Sequence, residues 1–441
     1  MVEVGDSGLT WAAFQGMSIH RTAWLRLALC SLLLSGLVGA QSAGPSTPEQ
    51  ETTASKQNST EKTKKPALIQ LDPTPVEVLP SPTAVESNPP SLIGTMTSGE
   101  PRTGKEEKRG EIVVAPFPIS NPAIGSGLVV VGGYLFPLSR KDTASPDSFL
   151  GGGSFYTSNG SWLWGAGGKL YFKHDRFRVS GAYGHAQLHY DLYGIGNSAG
   201  NLGSSIPINQ GGTALLLETL IRVKGKLFLG PRYQWRALDA HFKGDNFPPG
   251  FNVDPVELKS TTSALGVHIQ NDLRDSQFYP TKGVLIDIVG DFFQGNFGSD
   301  FSYQSYTFAF NKFSSISPRQ VFAFRVFGCA TAGHVPFYDL CMLGMHNDIR
   351  GYKTGRYRDR LMLTTQAEYR LELPKRFGLA AFFGVGEVAP ELGAFNNNNL
   401  KPAGGAGVRF TLAKKNHVNL RVDYAAGLQG GGVYMGVSEA F

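Results

Sequence analysis

Charge is scarce in this sequence. Only 17% of its 441 residues are Asp, Glu, Lys or Arg, against the roughly 25% of an ordinary soluble domain. Long apolar runs are missing too: after the first forty residues nothing approaches the ~18 to 20 apolar residues of a spanning helix. A helical membrane protein is excluded. Cysteine is nearly absent, with Cys30 in the leader and Cys329 and Cys341 left to the mature chain. No basic helix or zinc-ligand spacing accompanies the net charge of +6, so nucleic acid is not an expected partner. No Ser, His and acid grouping stands out either. His174, His185, His189, His241, His268, His334, His346 and His417 are scattered, and His185 and His189, about 13 Å apart along one strand, are too distant for one ion. Neither an enzyme nor a cofactor or metal is expected.

What is abundant is glycine, 55 residues, and aromatics at 11%, with 29 Phe and 16 Tyr. The mean hydropathy is nevertheless slightly negative, so apolar residues are interleaved with polar ones, as in alternating strands.

The chain divides into three parts. Residues 1–40 read as a signal peptide: His20, Arg21 and Arg26 lead into the apolar run Leu27 to Val38, closed by Gly39 and Ala40 before Gln41. Glu3 and Asp6 sit oddly in an n-region, which suggests Met17 as the true start. Residues 41–110 carry ten prolines, many Ser, Thr, Glu and Lys, and no aromatic before Phe117. Such a segment cannot bury enough apolar surface to offset its ordering entropy, and is expected to be a disordered periplasmic linker.

Residues 111–441 read as an all-β, transmembrane antiparallel barrel. In Leu361 to Leu373, the odd positions Leu361, Leu363, Tyr369 and Leu371 oppose Gln366, Glu368, Arg370 and Glu372. A strand with one greasy and one charged face separates lipid from a wet lumen. Val418 to Leu428 repeats the pattern, with Asn419, Arg421 and Asp423 on the polar face, and so does Ala214 to Lys224, with Leu216 and Leu220 as exceptions. Fifteen such segments are expected near 127–137, 148–157, 161–173, 177–191, 213–224, 227–241, 262–272, 282–294, 301–315, 319–332, 361–373, 376–390, 402–413, 417–428 and 431–441. Short and long connections alternate between them. With short turns in the periplasm and both termini on that side, the strand number is even. Sixteen strands are therefore expected, one of them unrecognised before Ser161.

Three motifs carry a resemblance. The first is Asn271-Asp272-Leu273-Arg274-Asp275 with Phe278-Tyr279-Pro280-Thr281-Lys282-Gly283, where Pro280 and Gly283 suit a tight turn and Asp275 can cap its amides. The second is Ile349-Arg350-Gly351-Tyr352 in the long connection from Gly333 to Arg360, and the third is Gln366-Ala367-Glu368-Tyr369-Arg370 on the next strand. Together they resemble the bacterial surface antigen family, the barrel shared by BamA and TamA, over roughly residues 112–441. Leu420 to Ala425 also looks like that family's penultimate strand.

The resemblance implies a sixth extracellular loop folded back into the lumen, with Arg350 arriving beside Glu368. The family's usual Asp on the following strand is replaced by Gly384 in Phe382-Phe383-Gly384, so Glu368 is the expected partner, Glu387 a substitute, and Gly384→Asp a change that would tighten the lock. Phe441, on the lipid face with Val433, Met435 and Val437, resembles the terminal signal by which barrels are handed to the assembly machinery, although Glu439 departs from that face. Cys329 and Cys341, twelve positions apart in an oxidising compartment, are expected either to bridge the base of loop six or to remain separate buried thiols.

Family members that handle polypeptides carry periplasmic repeats before the barrel, and residues 41–110 are too poor in apolar side chains to fold one. Two functions stay open: insertion or translocation of polypeptides at the outer membrane, or a structural or passive-pore barrel that has lost the transport role. The implied partners are outer-membrane lipids, the barrel-assembly machinery and a polypeptide substrate.

Overall fold

The computed structural model describes residues 110–139, 142, 145–243, 254–345, 348–413 and 417–441. The expected signal peptide and all but the last residue of the expected linker lie outside them. Sixteen strands close into one antiparallel barrel. In chain order they are β1 (Glu111–Asn121), β2 (Gly125–Phe136), β3 (Ser148–Thr157), β4 (Trp162–Phe172), β5 (Phe177–Tyr193), β6 (Ser205–Lys224), β7 (Leu227–Phe242), β8 (Lys259–Asp272), β9 (Gly283–Phe293), β10 (Tyr303–Ser317) and β11 (Gln320–Gly333). Two short strands inside loop six follow, β12 (Cys341–Met342) and β13 (Arg358–Asp359). The wall then resumes with β14 (Leu361–Glu372), β15 (Phe377–Ala389), β16 (Lys401–Ala413), β17 (Val418–Gly427) and β18 (Gly430–Val437). Short helices α1 (Gly196–Leu202) and α2 (Pro255–Leu258) sit in the loops after β5 and β7.

The strand that alternation failed to reveal is β1. Its core, Ala115-Pro116-Phe117-Pro118, places two prolines where a strand normally donates hydrogen bonds, which hides it from pattern reading. Elsewhere the period of two carries through: on β14, Met362, Thr364, Gln366, Glu368 and Arg370 are buried while Leu363 is 49% exposed on the outer wall. On β6 the exception Leu220 faces inward and is buried, whereas Leu217, Ile221 and Val223 face lipid. The long strands β5 to β7 project beyond the wall, and β6 starts at Ser205, eight residues ahead of the expected 213.

The short-turn end is closed by the first motif. Asp275 Oδ1 accepts from the amides of Ser276, Thr281 and Lys282 at 3.0, 2.9 and 3.1 Å, and its Oδ2 accepts from the Thr281 hydroxyl at 2.5 Å. Burial opposes ionisation here, yet these bonds win and hold the Asp275 carboxyl below its ordinary range. Gly283 has φ 108°, and a Cβ there would lie 2.2 Å from the Leu273 carbonyl oxygen, so only glycine fits. Arg274 is clamped by Asp272 at 2.9 Å. Pro280 is buried beside Tyr279, whose ring stacks on His417 of the β16–β17 turn with centroids 3.9 Å apart. The motif thus reaches across the lumen's mouth to the opposite wall.

The last residues correct an expectation. β18 stops at Val437, and Ser438 takes φ 69°, its amide bonding to the Asn419 carbonyl at 2.7 Å. This left-handed residue breaks the pleat and turns the rest of the chain inward. Glu439 therefore lies in the lumen, as does Phe441, whose ring meets Phe313 at 6.4 Å. Neither faces lipid.

Candidate functional site

Loop six, described over residues 334–345 and 348–360, fills the upper lumen. Its base is fixed twice: Cys341 is joined to Cys329 of β11 in a disulfide with Cα atoms 5.7 Å apart, and β12 pairs with β13. On the β5–β8 side, Arg236 binds Asp339 at 2.6 Å, Tyr338 shares a hydrogen bond with Ser260 at 2.6 Å, and Phe337 packs among Leu188, Ile208 and Leu238. From above, α1 contributes the Gly200 carbonyl to Arg356 at 2.9 Å and the Asn201 side chain to Tyr357 at 3.1 Å.

The tip of the loop is Ile349-Arg350-Gly351-Tyr352. Gly351 has φ 114°, and a Cβ there would come within 2.8 Å of the Ala426 backbone and 3.0 Å of Ala403, so the glycine lets the tip lie flush against β16 and β17. Its amide donates to Tyr434 of β18 at 2.8 Å. Tyr352 donates to the Pro402 carbonyl at 2.6 Å and accepts from the Leu428 amide at 3.2 Å. Ile349 is buried with Met362 and Val388. One loop tip is thereby tied to the last three strands.

Arg350 is the centre of this seat, with its side chain 1% exposed. A guanidinium taken out of water must have its donors met, because desolvation costs several kcal/mol, on the order of what a good ion pair returns. All of its groups are engaged: Nη2 with Glu368, Nη1 with Asp423 at 2.6 Å, and Nε and Nη2 with Gln366 at 3.3 Å. Its plane lies 3.4 Å from the Phe382 ring centre, a stacked cation–π contact.

The carboxylates are shared. Glu368 also accepts from Arg370 at 2.7 Å, Asp423 from Arg409 at 2.5 Å and Arg421 at 3.2 Å, and Glu439 from Arg409 and Asn419 at 2.8 Å each. Arg370 closes the ring on the main-chain oxygen of Phe441 at 3.0 Å. Four arginines and three carboxylates form one buried network joining loop six to β14, β16, β17 and the segment after β18.

Several expectations are changed by this geometry. Arg350 meets Glu368, but its second acceptor is Asp423, three strands along the wall from β14. Position 384 is no vacancy: a Cβ on Gly384 would lie 2.8 Å from the Thr365 carbonyl oxygen, and Phe382 already occupies the space under the guanidinium. Glu387 does not substitute. It accepts the Asn396 amide at 2.9 Å in the next loop. The signal for Asp423 was present in the alternation of β17, but alternation gives only the face of a residue, and the partner arrives from a loop. A second lumenal cluster was missed: His268 is held between Glu218 at 2.7 Å and Asp287 at 3.1 Å. Each ring nitrogen faces a different carboxylate.

A closed sixteen-stranded transmembrane barrel with its sixth loop locked inside by an arginine defines an Omp85-type barrel. The sequence matches the Omp85 superfamily domain over residues 130–434, and the chain belongs to that superfamily. Among solved structures it is similar to BamA from Haemophilus ducreyi lacking POTRA domains 1–3, with TM-score 0.52 and 15% identity over 76% of this chain and 71% of that one. It is also similar to CdiB from Escherichia coli, with TM-score 0.50 and 13% identity over 76% of this chain. It spans 63% of the CdiB chain. No curated protein matches.

Proposed function

We propose that this chain is an outer-membrane barrel of the BamA/TamA type that inserts or translocates polypeptides, its short turns in the periplasm and its long loops outside. One observation carries the reading. β1 pairs with β2 along its whole length, from Glu111↔Leu135 to Asn121↔Gly125, but meets β18 at a single pair, Ser120↔Met435.

Pro116 and Pro118 explain the asymmetry. Each lacks an N–H, and because the β2 ladder runs unbroken across both, the loss falls on the β18 side, where proline is tolerated in strands. What holds the seam beyond that pair is side-chain packing, Val437 against Phe117. A strand edge with unpaired backbone groups is a template for an incoming strand. The lumen is the less suitable route, since loop six occupies its upper part and Tyr279 on His417 its lower mouth.

The test is a reversible lock. Ser120→Cys with Met435→Cys is oxidised across the seam, and proteoliposomes are assayed for faster insertion of a urea-unfolded eight-stranded barrel. The unmodified protein should accelerate insertion over empty liposomes, oxidation of the double variant should abolish the gain, and reductant should restore it. The parent with its native disulfide reports the reductant's own effect. No acceleration by the parent overturns the proposal, and a large steady conductance in planar bilayers would then identify a passive pore.

A further inference from the structure

The two ends of the barrel differ sharply in exposed charge. At the short-turn end, among the described residues, eight exposed cations lie in five of the hairpin turns, led by Lys173 and Arg176, Lys224 and Lys226, and Lys375 and Arg376, while Asp275, whose oxygens are taken by its own turn, is the one exposed acid. At the long-loop end the exposed cations among the described residues are Lys243, Lys259 and Arg360, against Asp239, Asp254, Asp300 and Glu391.

These cations are not held out in solution. Lys173 and Arg176 lie 5.6 and 5.8 Å from the ring centre of Phe177. Arg376 donates to the carbonyls of Thr411 and Leu412 at 3.2 and 3.3 Å, which lays its side chain along the wall beside Phe377, 49% exposed. Lys224 follows Val223, 61% exposed. Lys173, Arg176, Lys224 and Arg376 therefore sit at the rim of the lipid-facing band, where a long side chain keeps its stem in hydrocarbon and its head at the level of the lipid phosphates.

We propose that this rim is a binding surface for anionic phospholipid headgroups in the leaflet at the short-turn end. A protein partner docking end-on would be met by charges pointing along the barrel axis, whereas Phe177, Phe377 and Val223 set these beside lipid. Juxtamembrane cations each strengthen association with anionic lipid by about fivefold at low salt. That this leaflet is the periplasmic one rests on the orientation given above. The lipid preference itself does not.

The experiment is native mass spectrometry of the purified full chain in micelles carrying equal amounts of a phosphatidylglycerol and a phosphatidylcholine with the same acyl chains. The protein should retain phosphatidylglycerol at least about fivefold over phosphatidylcholine. Lys173→Gln, Arg176→Gln, Lys224→Gln and Arg376→Gln together should lower the ratio at least about fivefold, and Lys243→Gln, Lys259→Gln and Arg360→Gln at the other end should leave it unchanged. Folding of each variant is checked by its heat-dependent gel mobility. Should the rim variant fail to fold, a salt titration of the parent decides, since a preference for phosphatidylglycerol that persists in high salt overturns the proposal, as does equal retention of the two lipids. Because no insertion activity is measured, failure here leaves the seam reading untouched, and failure at the seam leaves this one untouched.

Discussion

Arg350 and Asp423 lie 73 positions apart in sequence and meet in the lumen at 2.6 Å. The contact ties a loop to a strand that follows it by three hairpins, and it ranks the members of the network by what each leaves behind when removed.

Removing Arg350 leaves Glu368 with Arg370 and Asp423 with both Arg409 and Arg421, so no carboxylate is orphaned. Arg350→Ala should cost about 2 to 3 kcal/mol, the worth of its charge-assisted hydrogen bonds. Asp423→Asn removes the charge and one of the two acceptor oxygens that three guanidinium groups share, and should cost more, about 3 to 5 kcal/mol. Urea midpoints in lipid, followed by tryptophan fluorescence, rank the two. The reverse order would mean that water, rather than Asp423, satisfies the arginines.

Gly384→Asp should destabilise the barrel instead of strengthening the lock. The Cβ alone would be 2.8 Å from the Thr365 carbonyl oxygen, an overpacking cost of about 1 to 3 kcal/mol. Gly384→Ala isolates the steric part, and both variants should lower the urea midpoint. An aspartate variant more stable than the alanine variant by a full charged hydrogen bond would show that Arg350 can reach it after all.

Pro116→Ala with Pro118→Ala restores two donors to β1. Each ladder bond regained contributes about 0.5 to 1.5 kcal/mol. Combined with Ser120→Cys and Met435→Cys, these changes should make oxidation across the seam faster, and on their own they should make insertion slower. Unchanged rates for both would show that the prolines do not set the strength of the seam.

The turn at Asp275 should respond to acid. Its carboxyl is held below its ordinary value in the fold, so its stabilising effect is complete above the unfolded value of about 3.9 and is lost as pH falls below that toward the folded value. Asp275→Asn should lower the unfolding midpoint at pH 7, and the gap to the parent should narrow toward pH 3. A gap independent of pH would assign the effect to shape and not to charge.

Much of this was legible from residue order alone. The alternation of Gln366, Glu368 and Arg370 against Leu363 and Tyr369 marks a barrel strand and its inner face, and Arg350 with Gly351 marks the loop that enters. Illegible were the features set by three-dimensional closure. β1 was hidden because Pro116 and Pro118, which weaken its seam, also erase the usual strand signal. The inward course of Glu439 and Phe441 depends on one left-handed residue, Ser438, of a type that gives no warning. Asp423 showed its face but not its partner, since two lumenal side chains from distant strands are brought to one point only by a loop that arrives between them.

The order of the chain spreads the seat of loop six over strands that all follow it. Arg350 is made before the strands that carry Glu368 and Asp423, and Tyr434, which takes the Gly351 amide, comes later still. Until β17 and β18 join the wall, loop six has no complete seat and its guanidinium must stay hydrated. Completion of the wall and docking of the loop are consequently coupled, and a half-built barrel reports itself by a loop still open to proteases.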